Sequence, residues 1–201
     1  MIIAVEGMDG AGKTTVCKYI SSHKNFHMIE KPTKYFFNKH DFNKVLEEIY
    51  NSSPLVRSTF FGLGNILAVN KYDGNIILDR HLVSNYYWNY SSNLDEIYDI
   101  LVKECSPDLT ILLYATSETR YKRLYKRNPH DIDLLDPTVF EDGTDKMVKF
   151  LEKYNMKYVI VDTNNMSIDE MNAYVERIID GVENEYKESN REWFWRKTIY
   201  F

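Results

Sequence analysis

The sequence predicts an α/β fold built on a parallel five-stranded sheet with helices on both faces. Three observations predict it. Five short apolar runs are continuous rather than alternating, the pattern of strands buried on both faces. Segments of helical periodicity lie between the runs, so successive strands are joined by right-handed crossovers. A glycine-rich turn connects the first run to the first helical segment, and ligands in such sheets bind beyond the carboxyl ends of the strands.

The runs are Ile2–Val5, His27–Glu30, Ile76–Asp79, Thr110–Tyr114 and Tyr158–Asp162. Lys13–His23 follows the glycine-rich turn as the first helix. Asp41–Tyr50 opens on Asp41 in the position of an N-cap. Pro54–Lys71 has Ser53 as its cap and a proline at the first helical position, where the missing N–H costs nothing. Leu94–Glu104, Ser117–Arg127 and Pro137–Tyr154 follow, and Ile168–Asp180 is capped by Ser167. No internal repeat or low-complexity linker divides the chain. Residues 1–201 therefore read as one domain, with a lid at approximately 120–140 and an aromatic tail at 182–201. The stretch Trp193 to Phe201, rich in aromatics and arginine, covers the core or forms a homodimer contact.

Composition narrows the class. With 44% hydrophobic and 27% charged residues the chain is globular, not collagen-like, disordered or a disulfide scaffold. A net charge of −5 and a pI near 5.6 argue against a nucleic acid polymer as partner. Cys17 and Cys105 are too few for a disulfide framework. The apolar start is cut short by Glu6 and Gly7, and no run approaches the ~18 apolar residues of a spanning helix. The expectation is a reduced, cytoplasmic protein with no membrane partner. The sequons at Asn51, Asn89 and Asn165 are then chance matches. The histidines show no metal-ligand spacing.

The turn reads Gly7-Met8-Asp9-Gly10-Ala11-Gly12-Lys13-Thr14-Thr15 between a strand and a helix. It matches G-x-x-x-x-G-K-[ST] in the context that motif requires. Gly7, Gly10, Ala11 and Gly12 let successive backbone N–H groups face one anion. The helix start at Lys13, Thr14 and Thr15 adds its positive dipole end. Lys13 reaches terminal phosphates as a point charge, and the Thr14 hydroxyl is placed for Mg²⁺. ATP with Mg²⁺ is the expected ligand. The tetrapeptide Asn70-Lys71-Tyr72-Asp73 matches the guanine reader of regulatory GTPases. It follows a helix and precedes a strand, so it reads as a helix end and turn.

Two further signals point to phosphoryl transfer. Asp79 and Arg80 stand at the carboxyl end of the third strand. Asp79 is placed for the metal shell, and Arg80 offers a planar fork to a phosphate. Arg123 and Arg127, four apart on one helix face, precede Asn128-Pro129 and an acidic stretch to Asp136. A mobile lid that brings arginines onto the transferring group has this form.

In this order the signals resemble the thymidylate kinase family, at Glu6 through Thr15 and at Asp79-Arg80-His81-x-x-Ser84-Asn85. The resemblance implies a P-loop NTPase fold with a lid, ATP as donor and a nucleoside monophosphate as acceptor, dTMP or a related pyrimidine nucleotide. It implies that Asp9 approaches the acceptor's sugar hydroxyl, Arg80 clamps its phosphate and Phe61 stacks on its base. Asn85 contacts the base edge, and Trp88 stands beside the sugar. Because no basic residue lies between Gly7 and Gly12, the resemblance implies that Arg123 and Arg127 supply catalytic cations beside Lys13 and Arg80, with Asp79 as the catalytic carboxylate. The chain departs from the family at Glu30-Lys31-Pro32-Thr33 and at Phe61-Gly62-Leu63-Gly64-Asn65, where Asn65 stands for an arginine that reads thymine. Two alternatives remain. A deoxynucleoside kinase would use Glu30 as base toward a nucleoside 5′-hydroxyl, where a phosphate acceptor needs Arg80, Arg57 and Lys31. A nucleotide-dependent switch would catalyse no transfer.

Overall fold

The elements run β1 (Ile2–Glu6), α1 (Lys13–His23), β2 (His27–Glu30), α2 (Lys39–Tyr50), α3 (Pro54–Lys71), β3 (Ile76–Asp79), α4 (Leu82–Asn89) and α5 (Asp95–Cys105). There follow β4 (Leu109–Tyr114), α6 (Ser117–Arg127), 3₁₀ turns at Ile132–Leu134 and Pro137–Phe140, α7 (Thr144–Lys153), β5 (Tyr158–Asp162) and α8 (Ile168–Thr198). This computed structural model describes residues 1–30 and 39–198, with side chains for all of these except 39–43, 132 and 186–198.

All strands are parallel, in the order β2-β3-β1-β4-β5. Each is near-continuously apolar because helices cover both sheet faces. On one face α1 and α8 bury Val16, Cys17, Ile20, Met171, Val175 and Ile179 against β1 and β4. On the other, α4, α5 and α7 bury Leu82, Tyr98, Leu101 and Phe150 beside Leu112. Ala68 of α3 closes over Ile29, Ile76 and Leu78. Each fully buried aliphatic or aromatic chain contributes ~1.5–3 kcal/mol. The topology puts the carboxyl ends of β1 and β3 side by side, with Val5 in register with Asp79.

Several predicted boundaries hold, with their causes. Ser53 Oγ accepts from Val56 N at 3.4 Å. Ser167 and Glu170 form a reciprocal capping box, Glu170 N to Ser167 Oγ at 3.2 Å and Ser167 N to the Glu170 carboxylate at 2.8 Å. Asn70 bonds back to Ile66 O at 2.9 Å, so the Asn-Lys-Tyr-Asp stretch is a helix end. Cys17 and Cys105 are buried free thiols. Among the described residues no helix is long and apolar enough to cross a membrane.

Four expectations are corrected. α2 begins at Lys39, so Asp41 lies inside the helix instead of capping it. α4 was not predicted. Its serine, asparagines and aromatics are indifferent helix formers, and the helix is set by long-range contacts described below. The predicted helix Pro137–Tyr154 is divided into a 3₁₀ turn and α7. A Cβ at Gly143 would lie 2.4 Å from the Tyr87 ring and 2.7 Å from Met8 Sδ, so the chain squeezes between them. α8 continues past Asp180 to Thr198, so the predicted tail starts as helix. The side chains of Trp193 to Phe201 lie outside the described residues.

Candidate active site

β1 delivers the chain into the glycine-rich turn at the centre of the sheet edge. Gly7 has φ +135°, and a Cβ there would meet Leu113 O at 2.3 Å. Gly10 has φ +82°, and its Cβ would lie 2.8 Å from Arg120 O. Only glycine fits both the torsions and the close approaches. Gly12 precedes α1, which no side chain caps, so the helix start is open to an anion.

Lys13 is buried, and its Nζ donates to Gly7 O and Met8 O, both at 2.9 Å. It also stands 3.8 Å from the Asp9 carboxylate. Burial, then the Arg80 charge, pulls the ammonium down to about 8, against the opposing pull of Asp9, Asp79 and Glu6. Thr14 Oγ1 donates to Asp79 Oδ2 at 2.5 Å across the β1–β3 edge. Hydroxyl and carboxylate together are hard oxygen donors of the kind Mg²⁺ takes.

Arg80 has φ +76°, a left-handed backbone for a residue with a side chain. Such strain persists where its surroundings enforce it and gathers at functional sites. Here Arg80 N is held on Val5 O at 3.1 Å. The guanidinium ion-pairs with Asp9 and reaches Ser84 Oγ at 3.4 Å.

Three residues carry more of this site than the sequence revealed. Glu6 is fully buried and accepts from His81 N at 2.7 Å, Ser84 N at 3.1 Å and Ser84 Oγ at 2.5 Å. Its carboxylate thus holds the open start of α4. Burial pushes its carboxyl up, against those same hydrogen bonds and the Arg80 charge. His81 is 2% exposed, and neither ring nitrogen makes a well-formed hydrogen bond. Burial drives its imidazole down to about 3, with the Asn65 backbone opposing. Arg120, which the sequence shows only as one cation of a basic run, is 1% exposed.

The acceptor-side residues are placed unevenly. Phe61 is half-buried on α3, its ring 5.4 Å from Phe60 and 5.8 Å from Tyr50. Asn65, a turn further along, is buried with Nδ2 unpartnered. Asn85 instead spends its amide inside the fold: Nδ2 donates to Ser58 O at 3.0 Å and Oδ1 accepts from Asn89 at 3.0 Å. Trp88 is 37% exposed in the last turn of α4, edge-on to Tyr87. Arg57 is tied to Ser52 O and Asn89 Oδ1, and Lys31 lies outside the described residues.

The two lid arginines make local contacts. Arg123 donates to Thr163 Oγ1 at 2.9 Å and to Thr163 O, just past β5. Arg127, its side chain 60% exposed, pairs with Asp131 and Asp133. Of the three arginines on α6, it is Arg120 that hydrogen-bonds to the phosphate loop.

A family model, thymidylate kinase, matches residues 5–175. A probable thymidylate kinase of Archaeoglobus fulgidus is 30% identical over 209 residues, covering 94% of this chain and 100% of the relative. A second, from Sulfolobus acidocaldarius, is 30% identical, covering 85% and 91%. Among solved structures, deoxyadenosine kinase from M. mycoides aligns with a TM-score of 0.65 at 19% identity, covering 90% of this chain and 100% of that one. Thymidylate kinase from Candida albicans aligns with a TM-score of 0.61 at 18% identity, covering 91% and 92%. At those identities the structural likeness speaks to the P-loop kinase fold alone. The match across most of the chain does more: this protein belongs to the thymidylate kinase family, phosphotransferases whose donor is ATP and whose acceptor is a nucleotide.

Proposed function

We propose that the protein transfers the γ-phosphoryl group of ATP to a pyrimidine deoxynucleoside monophosphate, dTMP or a close relative. The observation that carries this reading is Arg80. Its strained backbone at the end of β3 is enforced, and its guanidinium lies across from the phosphate loop on Asp9. A cation fixed there suits an acceptor that brings its own phosphate. A hydroxyl acceptor brings no charge of its own for it to meet.

In this reading the chain's residues align and neutralise; there is little covalent chemistry to do. Backbone N–H groups from Gly10 to Thr15 hold the donor's phosphates. Lys13 exchanges its loop carbonyls for a phosphate oxygen and follows the group as it moves. Thr14 and Asp79 would hold Mg²⁺, which would supply positive charge to offset that of the phosphates. Arg80 orients the acceptor phosphate, and Asp9 beside it meets the sugar hydroxyl. Phe61 and Trp88 enclose the base, with the unpartnered Asn65 amide beneath. Asn85 acts through the position of α4. Arg123 and Arg127 reach the transferring group once the lid exchanges its internal pairs. A homodimer, if formed, has the exposed row Leu55, Leu63 and Leu67 of α3 available to it.

A deoxynucleoside kinase is the second reading, favoured by Glu30 at the end of β2, in register with Asp79. One assay separates them: ATP and Mg²⁺ with paired nucleosides and monophosphates, followed by ADP release. The proposal requires turnover on monophosphates, and Arg80→Ala must raise the acceptor KM at least about tenfold with little change for ATP. Turnover on nucleosides alone would overturn it.

A further inference from the structure

The chemistry described so far leaves Arg120 unused, and its surroundings are unusual. It lies in the first turn of α6, buried to 1% exposure. A guanidinium is a planar fork of five N–H donors. Here it donates to main-chain oxygens of three segments far apart in sequence: Nε to Ala115 O at 3.2 Å, Nη1 to Asp9 O at 3.3 Å, and Nη2 to Glu141 O. Those oxygens belong to the end of β4, the phosphate loop and the segment that leads from the lid into α7. Among the described residues no carboxylate lies within ion-pair distance of it. Its hydrogen bonds all go to carbonyls, with the Asp142 and Asp9 carboxylates favouring the charge only from beyond ion-pair distance, and burying a charge this way is an expensive route to stability. What it does provide is fixed geometry, because the planar fork sets the relative places of its acceptors.

The same three segments touch again nearby. A Cβ on Gly10 would lie 2.8 Å from Arg120 O, so only a glycine lets the loop pack this closely against α6. Gly143 is wedged between Met8 and the Tyr87 ring. Tyr87 Oη donates to the Glu141 carboxylate at 3.1 Å. A small pocket between loop and lid, lined by Asp9, Asp133, Asp136 and Thr138, has Arg120 in its wall. Asp9 is the pivot: its carbonyl is held by Arg120 while its carboxylate holds Arg80.

We propose that Arg120 is a positioning residue that couples the carboxyl-terminal end of the lid to the acceptor clamp. Through the Asp9 carbonyl it fixes where the Asp9 carboxylate presents Arg80, and through Glu141 it ties that geometry to the lid. The donor's phosphates are held mainly by groups Arg120 does not touch, the N–H donors of Ala11 to Thr15 and the Lys13 ammonium; only the Gly10 N–H shares the peptide whose carbonyl Arg120 fixes. Loss of the fork therefore falls on the acceptor. The inference rests on the monophosphate reading above, and the two fail separately. Wild type silent on every monophosphate would sink that reading; an unchanged acceptor KM in the variant sinks this one.

The test is Arg120→Lys, which keeps the charge and loses the fork. ATP affinity by equilibrium binding, acceptor KM, kcat and thermal midpoint are measured together. The expected result is an acceptor KM raised at least about tenfold, the effect of one charge-assisted contact, with ATP affinity within about threefold. Asp9→Asn serves as the coupling partner: if Arg120 acts through Asp9, adding Arg120→Lys to it raises acceptor KM by less than about threefold, as expected for groups in one network. Multiplicative effects, equal losses for ATP and acceptor, or a lowered midpoint with unchanged kinetics would each overturn the proposal. Should Arg120→Lys not fold, Gly143→Ala pushes the lid end off Met8 with Arg120 intact. It must show the same acceptor-selective loss, and a wild-type acceptor KM there would equally overturn it.

Discussion

Glu6 supports the sharpest stability prediction, because its three hydrogen bonds can be removed selectively. In Glu6→Ala, the N–H groups of His81 and Ser84 lose their acceptor in a fully buried place. Each unmatched buried donor costs about 1–3 kcal/mol, so about 2–6 kcal/mol for the pair. The Ser84 hydroxyl can rotate and is left out. In Glu6→Gln the amide oxygen still accepts from both N–H groups, and the new NH₂ donates to Ser84 Oγ, which is an acceptor as well as a donor. That variant should lose only about 1 kcal/mol. Urea unfolding of the three proteins reads the difference directly, provided the slopes agree. Alanine and glutamine equally mild, within 1 kcal/mol of wild type, would refute the account of α4 as a helix held by this carboxylate. Function should track it: α4 begins one residue after His81, so a loosened start disturbs Arg80 and raises acceptor KM in the alanine variant first.

Three other outcomes follow. Lys13→Ala should lower turnover by at least ~10²-fold, the usual effect of removing a charge contact to the transition state; retention of a tenth of wild-type activity in a steady-state assay would contradict its role. His81 gives a pH dependence: the unfolded imidazole takes a proton near 6.5 while burial holds the folded one at about 3. Below pH 6.5 the unfolded state therefore binds more protons, and stability falls as pH drops, by up to ~1.4 kcal/mol per unit. His81→Phe should flatten this slope between pH 6.5 and 4.5 in denaturant titrations; Glu6, whose raised carboxyl acts in the opposite sense, is common to both proteins, and parallel slopes would exclude the histidine. Arg123→Ala with Arg127→Ala should cut kcat at least about tenfold while ATP affinity by equilibrium binding changes little; loss of affinity with kcat intact would make them a ground-state clamp.

How much was legible depended on how local each determinant is. The phosphate loop could be read because its glycines, lysine and threonine are contiguous and their spacing is the mechanism. Asp79 and Arg80 could be read because a strand end fixes where a side chain goes. Glu6 stands inside the same motif, yet its role was invisible: its partners His81 and Ser84 are 75 and 78 residues away. α4 went unpredicted for the same reason, since its start is held by that carboxylate and its residues have weak helix propensity. Asn85 looked like a base reader by resemblance, and only the packing of α3 on α4 shows its amide engaged. Arg120 differs from Arg123 and Arg127 by nothing a composition count detects. The one sequence clue was Gly10, whose small size is needed where α6 crosses the loop.

The cations of this site share a feature that shapes how binding should be counted. Lys13 already holds two loop carbonyls, Arg80 holds Asp9, and Arg127 holds Asp131 and Asp133. A phosphate group arriving at any of them replaces an internal oxygen. It gains the difference between two charge-assisted contacts, not the whole of one. In the proposed reaction this exchange would keep ground-state affinity modest, while a transition state with more charge on the moving oxygens would gain more from it, which is where binding free energy raises kcat. The displaced Asp9 carboxylate is not wasted in this scheme. Once Arg80 turns to a phosphate, that carboxylate is released beside the place where the acceptor's sugar would lie, and the Arg120 hydrogen bond to the Asp9 carbonyl keeps it from drifting. The exchange at Arg80 and the fixed fork at Arg120 are therefore two parts of one requirement: a partner that can be given up, on a backbone that does not move.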